Sequence, residues 1–290
     1  MSTEARAALL FLSPALFVLA IFFFIPVLAG FALSVTDFDL YAIGDIHNLR
    51  FIALQNYASL LRSEVFWTAF LNTLYFAIAG GPLTVAASLA AALLVNAKAA
   101  RWKPLFRTIY FAPVVTTLVA VAIVFRFLYH PRFGMINRAL ESIGLHGVDW
   151  LSDPHLAMPA IIAVAVWKNF GYNMIIFIAG LQNIPDELYE AARIDGAGEW
   201  KQFRHVTLPM LGPTFLFVGI VTAIGYLQLF AEPYVMTHGG PLNRTLSAVM
   251  LMYQQGFKFF RMGYAAAVAF LLFLTIAAAT ALQMRVQERR

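Results

Sequence analysis

Six separate stretches of this 290-residue chain are predominantly apolar over more than twenty residues each. They run over 8–34, 66–94, 106–129, 156–181, 210–231 and 264–284. A hydrocarbon core of about 30 Å is crossed by about 20 apolar residues in helical form. In lipid every backbone N–H and C=O must be satisfied within the protein, so a segment of this kind has to be helical. The pattern therefore predicts an all-α polytopic membrane protein with six transmembrane helices. Composition agrees: 61% of residues are hydrophobic and 12% are charged, against about 25% charged in soluble domains. The connecting loops reach only about 30 residues, too few for a soluble domain, so residues 1–290 read as one transmembrane domain. The first stretch is too long for a cleaved signal segment. Gly80-Gly81-Pro82 in the middle of the second predicts a kink there.

The sparse charges set orientation. The side carrying the N-terminus, the 95–105 and 182–209 loops and the C-terminus holds ten basic residues in about 54 positions. These are Arg6, Lys98, Arg101, Lys103, Arg193, Lys201, Arg204, Arg285, Arg289 and Arg290. The opposite side holds seven in about 90. Basic loops stay in the cytoplasm, so a multi-pass chain with both termini cytoplasmic is expected. The net charge of +5 reads as contact with anionic lipid rather than with nucleic acid.

Several chemistries are excluded. With no cysteine there is no disulfide, thiolate metal site or Cys nucleophile. None of the five lysines follows a glycine, and no H-E-x-x-H, G-x-S-x-G or G-x-G-x-x-G occurs. His130, His155 and His238 fall in loops or at span ends without an acidic cluster. The chain is expected not to be an enzyme and to hold no metal.

The loop around 185–205 carries the strongest local signal. Pro185 suits a first helical position, and Asp186 and Glu187 suit the positive end of the helix dipole. Leu188, Ala191 and Ala192 share one side; Tyr189, Glu190 and Arg193 take the other. Gly196 and Gly198 stop the helix, and Trp200 and Phe203 offer an interfacial anchor. Small alanines permit close approach to a partner's groove. An ordinary amphipathic helix on the membrane surface fits the same pattern.

A longer match bears on that choice. Glu190-Ala191-Ala192, three residues, Gly196, nine residues and Val206-Thr207-Leu208-Pro209 resemble the permease signature of binding-protein-dependent ABC importers, with Val206 in place of Ile. Two further stretches resemble the sugar-permease branch of that family. Residues 51–57 (FIALQNY) resemble its "F-x-G-L-x-N-Y" element, with Ala53 where Gly is common. Thr237-His238-Gly239-Gly240-Pro241 resembles its "T-x-G-G-P" turn. The resemblance covers nearly the whole chain. It implies a type I importer permease fold and a cytoplasmic coupling helix that docks on an ATP-binding subunit through Glu190, Ala191, Ala192, Asp195 and Gly196. It implies a bacterial inner-membrane location. Its partners would be a second homologous permease chain, two ATP-binding-cassette subunits and an extracytoplasmic solute-binding protein. ATP and Mg would sit in the ATPase subunits and no cofactor in this chain.

Polar residues inside a span are costly and mark a pathway by default. In the fourth span these are Lys168, Asn169, Tyr172 and Asn173; in the fifth they are Thr222, Tyr226 and Gln228. Rings that stack on a sugar face, with amides and hydroxyls answering its hydroxyls, suit a saccharide. Aromatic packing between helices is the alternative for each residue. By resemblance to disaccharide transporters, substrate contacts map onto Lys168, Asn169, Tyr172, Thr222, Tyr226 and Leu229, although those relatives are rich in asparagine where this chain reads Tyr226-Leu227-Gln228-Leu229. The expected solute is a sugar or oligosaccharide. Lys168 leaves open glycerol-3-phosphate or a related phosphodiester. An ion-coupled secondary transporter is the competitor from another class, disfavoured by the lack of a convincing internal repeat and of intramembrane acid pairs.

Overall fold

A computed structural model describes residues 3–40, 44, 45, 47, 49–97 and 101–288, with side chains from residue 10 to 287. Lys98, Arg289 and Arg290, counted above for orientation, lie outside the described residues, as does the side chain of Arg6.

The described residues are helical, with one isolated bridge between Thr36 and Phe51. The first span is α1 (Thr3–Leu19), a wide π-type turn at Ala20–Phe24, and α2 (Ile25–Ser34). Next come α3 (Gln55–Leu61) and α4 (Glu64–Asn96). The third span is α5 (Lys103–Val115) and α6 (Leu118–Leu128), followed by the short α7 (Met135–Ser142). Then follow α8 (Ala157–Gln182) and α9 (Asp186–Ile194). A π-type turn at Phe203–Thr207 leads into α10 (Gly212–Leu227), then α11 (Ala231–Met236), α12 (Ala248–Tyr253) and α13 (Met262–Glu288). Among the described residues, five helices are long and apolar enough to cross a membrane: Leu10–Ser34, Glu64–Asn96, Ala157–Gln182, Gly212–Met236 and Met262–Gln287.

The third expected span, the remaining one of the six, departs from a single helix. Between α5 and α6 the axis turns by 95°. Thr116 and Thr117 at the corner are extended, with φ/ψ of −74°/146° and −66°/138°. The expected kink in the second span is also absent as a break, since α4 runs unbroken through Pro82. The glycines before that proline serve clearance instead: a Cβ on Gly80 would stand 2.6 Å from the Tyr226 ring.

Two compact units divide the chain. One gathers the described residues up to Phe66 with Leu251–Phe273. Within it Phe31 and Phe270 pack with ring centroids 4.9 Å apart, and a Cβ on Gly263 would strike the Thr36 carbonyl. The first-span window has a mean hydropathy of 2.8 and is 0% buried within the chain. Such a helix is at home only in lipid or against another apolar surface.

The second unit gathers Trp67–Met250 with the residues from Leu274 on. Its helix α8 is the most enclosed, with Ile161, Val164, Ala165, Met174 and Phe177 all at 0% exposure. One apolar cluster joins α4, α6, α8 and the α10–α11 region through Phe76, Val121, Ile161, Tyr226 and Met236. Another joins α4, α8 and α10 through Ala92, Phe177, Leu211 and Val218. Buried hydroxyls are satisfied locally: Thr73 and Ser88 donate to the carbonyls four residues back, at 2.9 and 2.6 Å. Asn137 on α7 organises the loop that follows. It donates to the carbonyls of Pro131 and Val148 and accepts from Val148 N–H and Trp150 Nε1.

Candidate functional site

The predicted pathway residues converge. A cavity of about 480 Å³ lies between α5–α6, α8 and the α10–α11 junction. Its lining includes Asn169, Tyr172, Asn173, Thr222, Tyr226, Gln228 and Leu229. The volume falls in the range of about 300–1,000 Å³ usual for small-molecule sites. Helical spacing explains the convergence. Asn169, Tyr172 and Asn173 lie three and four residues apart on one face of α8, and Thr222 and Tyr226 lie four apart on α10.

Hydrogen bonds fix this wall. Asn173 Nδ2 donates to Thr222 Oγ1 at 2.9 Å. The Tyr226 hydroxyl is hydrogen-bonded to Thr84 Oγ1 on α4, and its ring stacks on Phe76 with centroids 4.8 Å apart and an interplanar angle of 24°. Tyr226 is thus held by a hydrogen bond and a ring stack and is only 4% exposed, whereas Tyr172 is 45% exposed. The cavity presents an exposed ring at Tyr172, amides at Asn169 and Gln228, and a clamped ring at Tyr226.

Lys168 departs from the expectation. It is absent from the cavity lining. Its Nζ donates to the carbonyls of Pro113, Val114 and Thr116 at 3.2, 3.4 and 3.1 Å. These belong to the last turn of α5 and to the corner beyond it, and breaking a helix orphans carbonyls of this kind. An ammonium at a helix C-terminus also meets the negative end of the dipole. Lys168 caps the broken span. Gly171 permits the approach: a Cβ there would collide with the Tyr110 carbonyl and stand 3.2 Å from Phe111 Cα.

The loop helix α9 matches its expected span, but Pro185 precedes it, extended at φ −60° and ψ 133°, so Asp186 takes the first helical position. The α9 C-terminus closes as a Schellman motif. Ala197 N–H donates to Ala192 C=O at 2.8 Å and Gly196 N–H to Arg193 C=O at 3.0 Å, with Gly196 at φ +74°. The expected faces need one correction. Tyr189 turns inward: its hydroxyl is hydrogen-bonded to Thr207 Oγ1 at 2.9 Å, and its ring packs on the second apolar cluster. Glu190, Ala191, Asp195 and Gly196 are exposed, as are Leu188 at 40% and Ile194 at 86%; Ala192 is half-buried. The phenol reaches Thr207 while keeping its ring on apolar neighbours, which a side chain chosen by helical spacing alone does not reveal.

Comparison with known proteins decides the family. Residues 83–290 match the model of the binding-protein-dependent transport system inner membrane component. The lactose transport system permease protein LacF of Rhizobium radiobacter is 37% identical over 304 aligned positions, covering 100% of both chains. The chain belongs to this family of permeases. The probable ABC transporter permease YurN of Bacillus subtilis is 36% identical over 95% of this chain and 94% of its own. The arabinooligosaccharides permease AraP of the same species is 33% identical over 94% and 86%. The fold matches the crystal structure of a bacterial ABC transporter involved in the import of the acidic polysaccharide alginate, with a TM-score of 0.81 over 98% of this chain and 96% of that one at 23% identity.

The two permease-like loop elements also have physical content. Asn56 Nδ2 donates to the carbonyls of Ser34 and Thr36 at 2.9 and 2.8 Å, and the Tyr57 hydroxyl meets Ser34 Oγ at 2.8 Å. The Asn-Tyr pair therefore caps the end of the first span. Ala53 stands at φ +50°, a left-handed conformation that suits the glycine common in other permeases. In the turn at 237–241, Thr237 Oγ1 meets Thr245 Oγ1 at 2.6 Å and Thr245 donates to Gly240 C=O at 2.7 Å. Asn72 on α4 ties the following residues through the carbonyls of Asn243 and Leu246 at 2.7 and 2.9 Å.

Several lining residues of this permease lie outside the expected pathway set: Phe76, Val114, Leu118, Gly225 and Glu232. Apolar positions carry no signal against an apolar background. Glu232 falls just beyond the end of the fifth expected span at 231.

Proposed function

We propose that this permease is one half of the translocation path of an ATP-driven importer for a neutral sugar or oligosaccharide. Residues 1–290 act as a single permease domain, through which α4 and α13 run continuously. It pairs with a second, homologous permease chain. An extracytoplasmic binding protein delivers the solute, and two ATP-binding-cassette subunits hold ATP and Mg and supply the energy. This chain holds no cofactor and is not itself an enzyme. It is a bacterial inner-membrane protein with both termini in the cytoplasm, where α9 docks on an ATPase subunit through Glu190, Ala191, Ala192, Asp195 and Gly196. The exposed Ala191 and Ile194 surface of α9 supports that reading.

One observation carries the choice of solute. The cavity brings Asn169, Tyr172, Gln228 and the clamped Tyr226 around one space. Amides and an exposed ring answer the hydroxyls and the apolar face of a saccharide. Relatives named for lactose, arabinooligosaccharides, and trehalose and maltose support this class. The phosphodiester alternative rested on a free cation, and the Lys168 amine is engaged by carbonyls.

The test is uptake by cells carrying the complete transporter. Tyr172→Ala and Asn169→Ala are expected to reduce saccharide uptake at least ten-fold while the complex still assembles. Gly196→Asp and Glu190→Lys are expected to abolish uptake with normal membrane insertion. Unchanged uptake kinetics in the first pair, across a panel of neutral saccharides, removes the solute site from this chain. Normal uptake in the second pair removes the docking role.

A further inference from the structure

Two routes join the loop helix α9 to the fifth span. The covalent route leaves α9 through Gly196 and Gly198, both exposed, with Gly196 at φ +74°. Glycine leaves the backbone free to turn at such points, so a push on α9 is poorly carried along it. The other route is a side-chain contact. The Tyr189 hydroxyl is hydrogen-bonded to Thr207 Oγ1 at 2.9 Å, while the Tyr189 ring packs against the apolar cluster that contains Phe177, Leu211 and Val218. Thr207 is 6% exposed and closes the π-type turn Phe203–Thr207, a wide turn of a kind that gathers at functional sites. From Thr207 the hydrogen-bond ladder continues into α10. Leu211 N–H donates to Thr207 C=O at 3.0 Å, and Phe215 N–H to Leu211 C=O at 2.8 Å. Higher up, α10 meets α8 at two points. At Gly180 the helices run so close that a Cβ would stand 2.5 Å from Thr214 Oγ1 and 3.0 Å from Leu211 Cδ2. In the cavity wall, Asn173 Nδ2 donates to Thr222 Oγ1 at 2.9 Å.

We infer that Tyr189 is the positioning residue through which α9 moves the cavity wall. Its bond to Thr207 is a strut that carries motion of α9 to the foot of the fifth span. The helix then turns on the Gly180–Thr214 contact, so that Thr222 swings against Asn173. The inference rests on the reading that α9 docks on an ATPase subunit. The spacing suits a lever: at 1.5 Å per residue, Thr214 stands about 10 Å of helix above Thr207 and about 12 Å below Thr222. A displacement at Thr207 therefore returns at Thr222 in the opposite sense and at similar size. Gly180 suits the pivot, because it offers no side chain to interlock with the facing helix. The Asn173–Thr222 bond is short-ranged and directional, so a swing of an ångström or so makes or breaks it. The cavity wall thus has two discrete arrangements, and α9 biases them through one phenol.

The absence of cysteine allows a direct test. Val221→Cys places one thiol in the cavity lining, next to Thr222. The complete transporter with its binding protein is held in lipid nanodiscs, and labelling by uncharged methyl methanethiosulfonate is followed by the mass of this chain. Trapping the ATPase subunits with ATP and vanadate is expected to change the labelling rate at least three-fold. Tyr189→Phe keeps the ring on its apolar cluster and loses the hydroxyl. It is expected to abolish that change while vanadate still traps ADP. Thr207→Val is expected to do the same, and the two together no more than either alone. Thr207→Ser, which keeps a hydroxyl, is expected to retain the response. A response that survives Tyr189→Phe, or no response with Tyr189 and Thr207 in place, overturns the strut. Loss of ADP trapping in both Tyr189→Phe and Thr207→Val also overturns it, since the bond then serves docking or folding rather than transmission. The docking variants separate the strut from the reading beneath it. If Glu190→Lys and Gly196→Asp trap ADP and respond at Val221→Cys as before, docking fails and the strut with it. If they lose the response while Tyr189→Phe keeps it, docking stands and the strut alone fails.

Discussion

Replacing Lys168 by Met removes the three N–H···O contacts at 3.1, 3.2 and 3.4 Å that cap the end of α5 and the corner beyond it. Hydrogen bonds to a charged donor contribute about 1.5–3 kcal/mol each, with the longest at the low end. Summed, the loss is about 5–7 kcal/mol. Against it stands relief from holding an ammonium at 8% exposure, which costs several kcal/mol. The net destabilisation of the corner is then about 2–4 kcal/mol, or a rise of roughly 30- to 1,000-fold in its opening equilibrium. Amide hydrogen exchange on the complex in lipid nanodiscs reads this directly. Peptides spanning 111–121 are expected to exchange faster in Lys168→Met, while those of α10 keep their protection. Lys168→Gln, which retains a neutral donor, is expected to fall between. If Lys168→Met loses transport while exchange at 111–121 is unchanged, Lys168 acts on the solute and the capping argument is wrong.

Other outcomes follow from the same structure. Ala53→Gly relieves a residue at φ +50° and is expected to raise thermal stability by the equivalent of about 0.5–1 kcal/mol, the steric cost of left-handed Ala less the added freedom of the unfolded chain. Gly171→Val forces side-chain atoms into the Tyr110 carbonyl and is expected to cost about 3 kcal/mol or more. Gly225→Ala, with open space around its Cβ position, is expected to leave stability unchanged or slightly raised, as scored by fluorescence-detected size exclusion after heating. Asn137→Ala strips two buried donors and two acceptor contacts from the 131–150 loop and is expected to expose that loop to protease, with no effect on cleavage elsewhere.

Much of this molecule was legible because lipid makes polarity conspicuous. In an apolar span, Asn169, Asn173, Thr222 and Gln228 stood out, and all four line the same cavity. The α9 helix was legible through Pro185 at one end and Gly196 at the other, each acting within its own turn. What escaped depended on contacts distant in sequence. The 95° corner sits at Thr116-Thr117, a dipeptide that carries no turn signal, because the corner is held by a lysine from another helix. That lysine looked like a pathway residue because its partners are backbone carbonyls, which every residue has and no sequence marks. Tyr189 was assigned to the outer face for a similar reason: its hydroxyl bond to Thr207 spans 18 positions. Gly80 suggested a bend and instead makes room for a ring 146 positions away.

The corner in the third span also sets a problem of timing during synthesis. The carbonyls of Pro113, Val114 and Thr116 precede the amine that satisfies them by 55, 54 and 52 residues. At roughly 5–20 residues per second, the ribosome takes about 3–11 s to supply it. Until Lys168 arrives the corner has no cap, and carbonyls exposed at a break there cannot be satisfied by lipid. The nascent third span is therefore expected either to stay helical through Thr116-Thr117 or to keep that corner at the translocon or a wet interface until the fourth span arrives. Nascent chains arrested before residue 168 should be recognised by membrane quality control, and those arrested some 40 residues later should not.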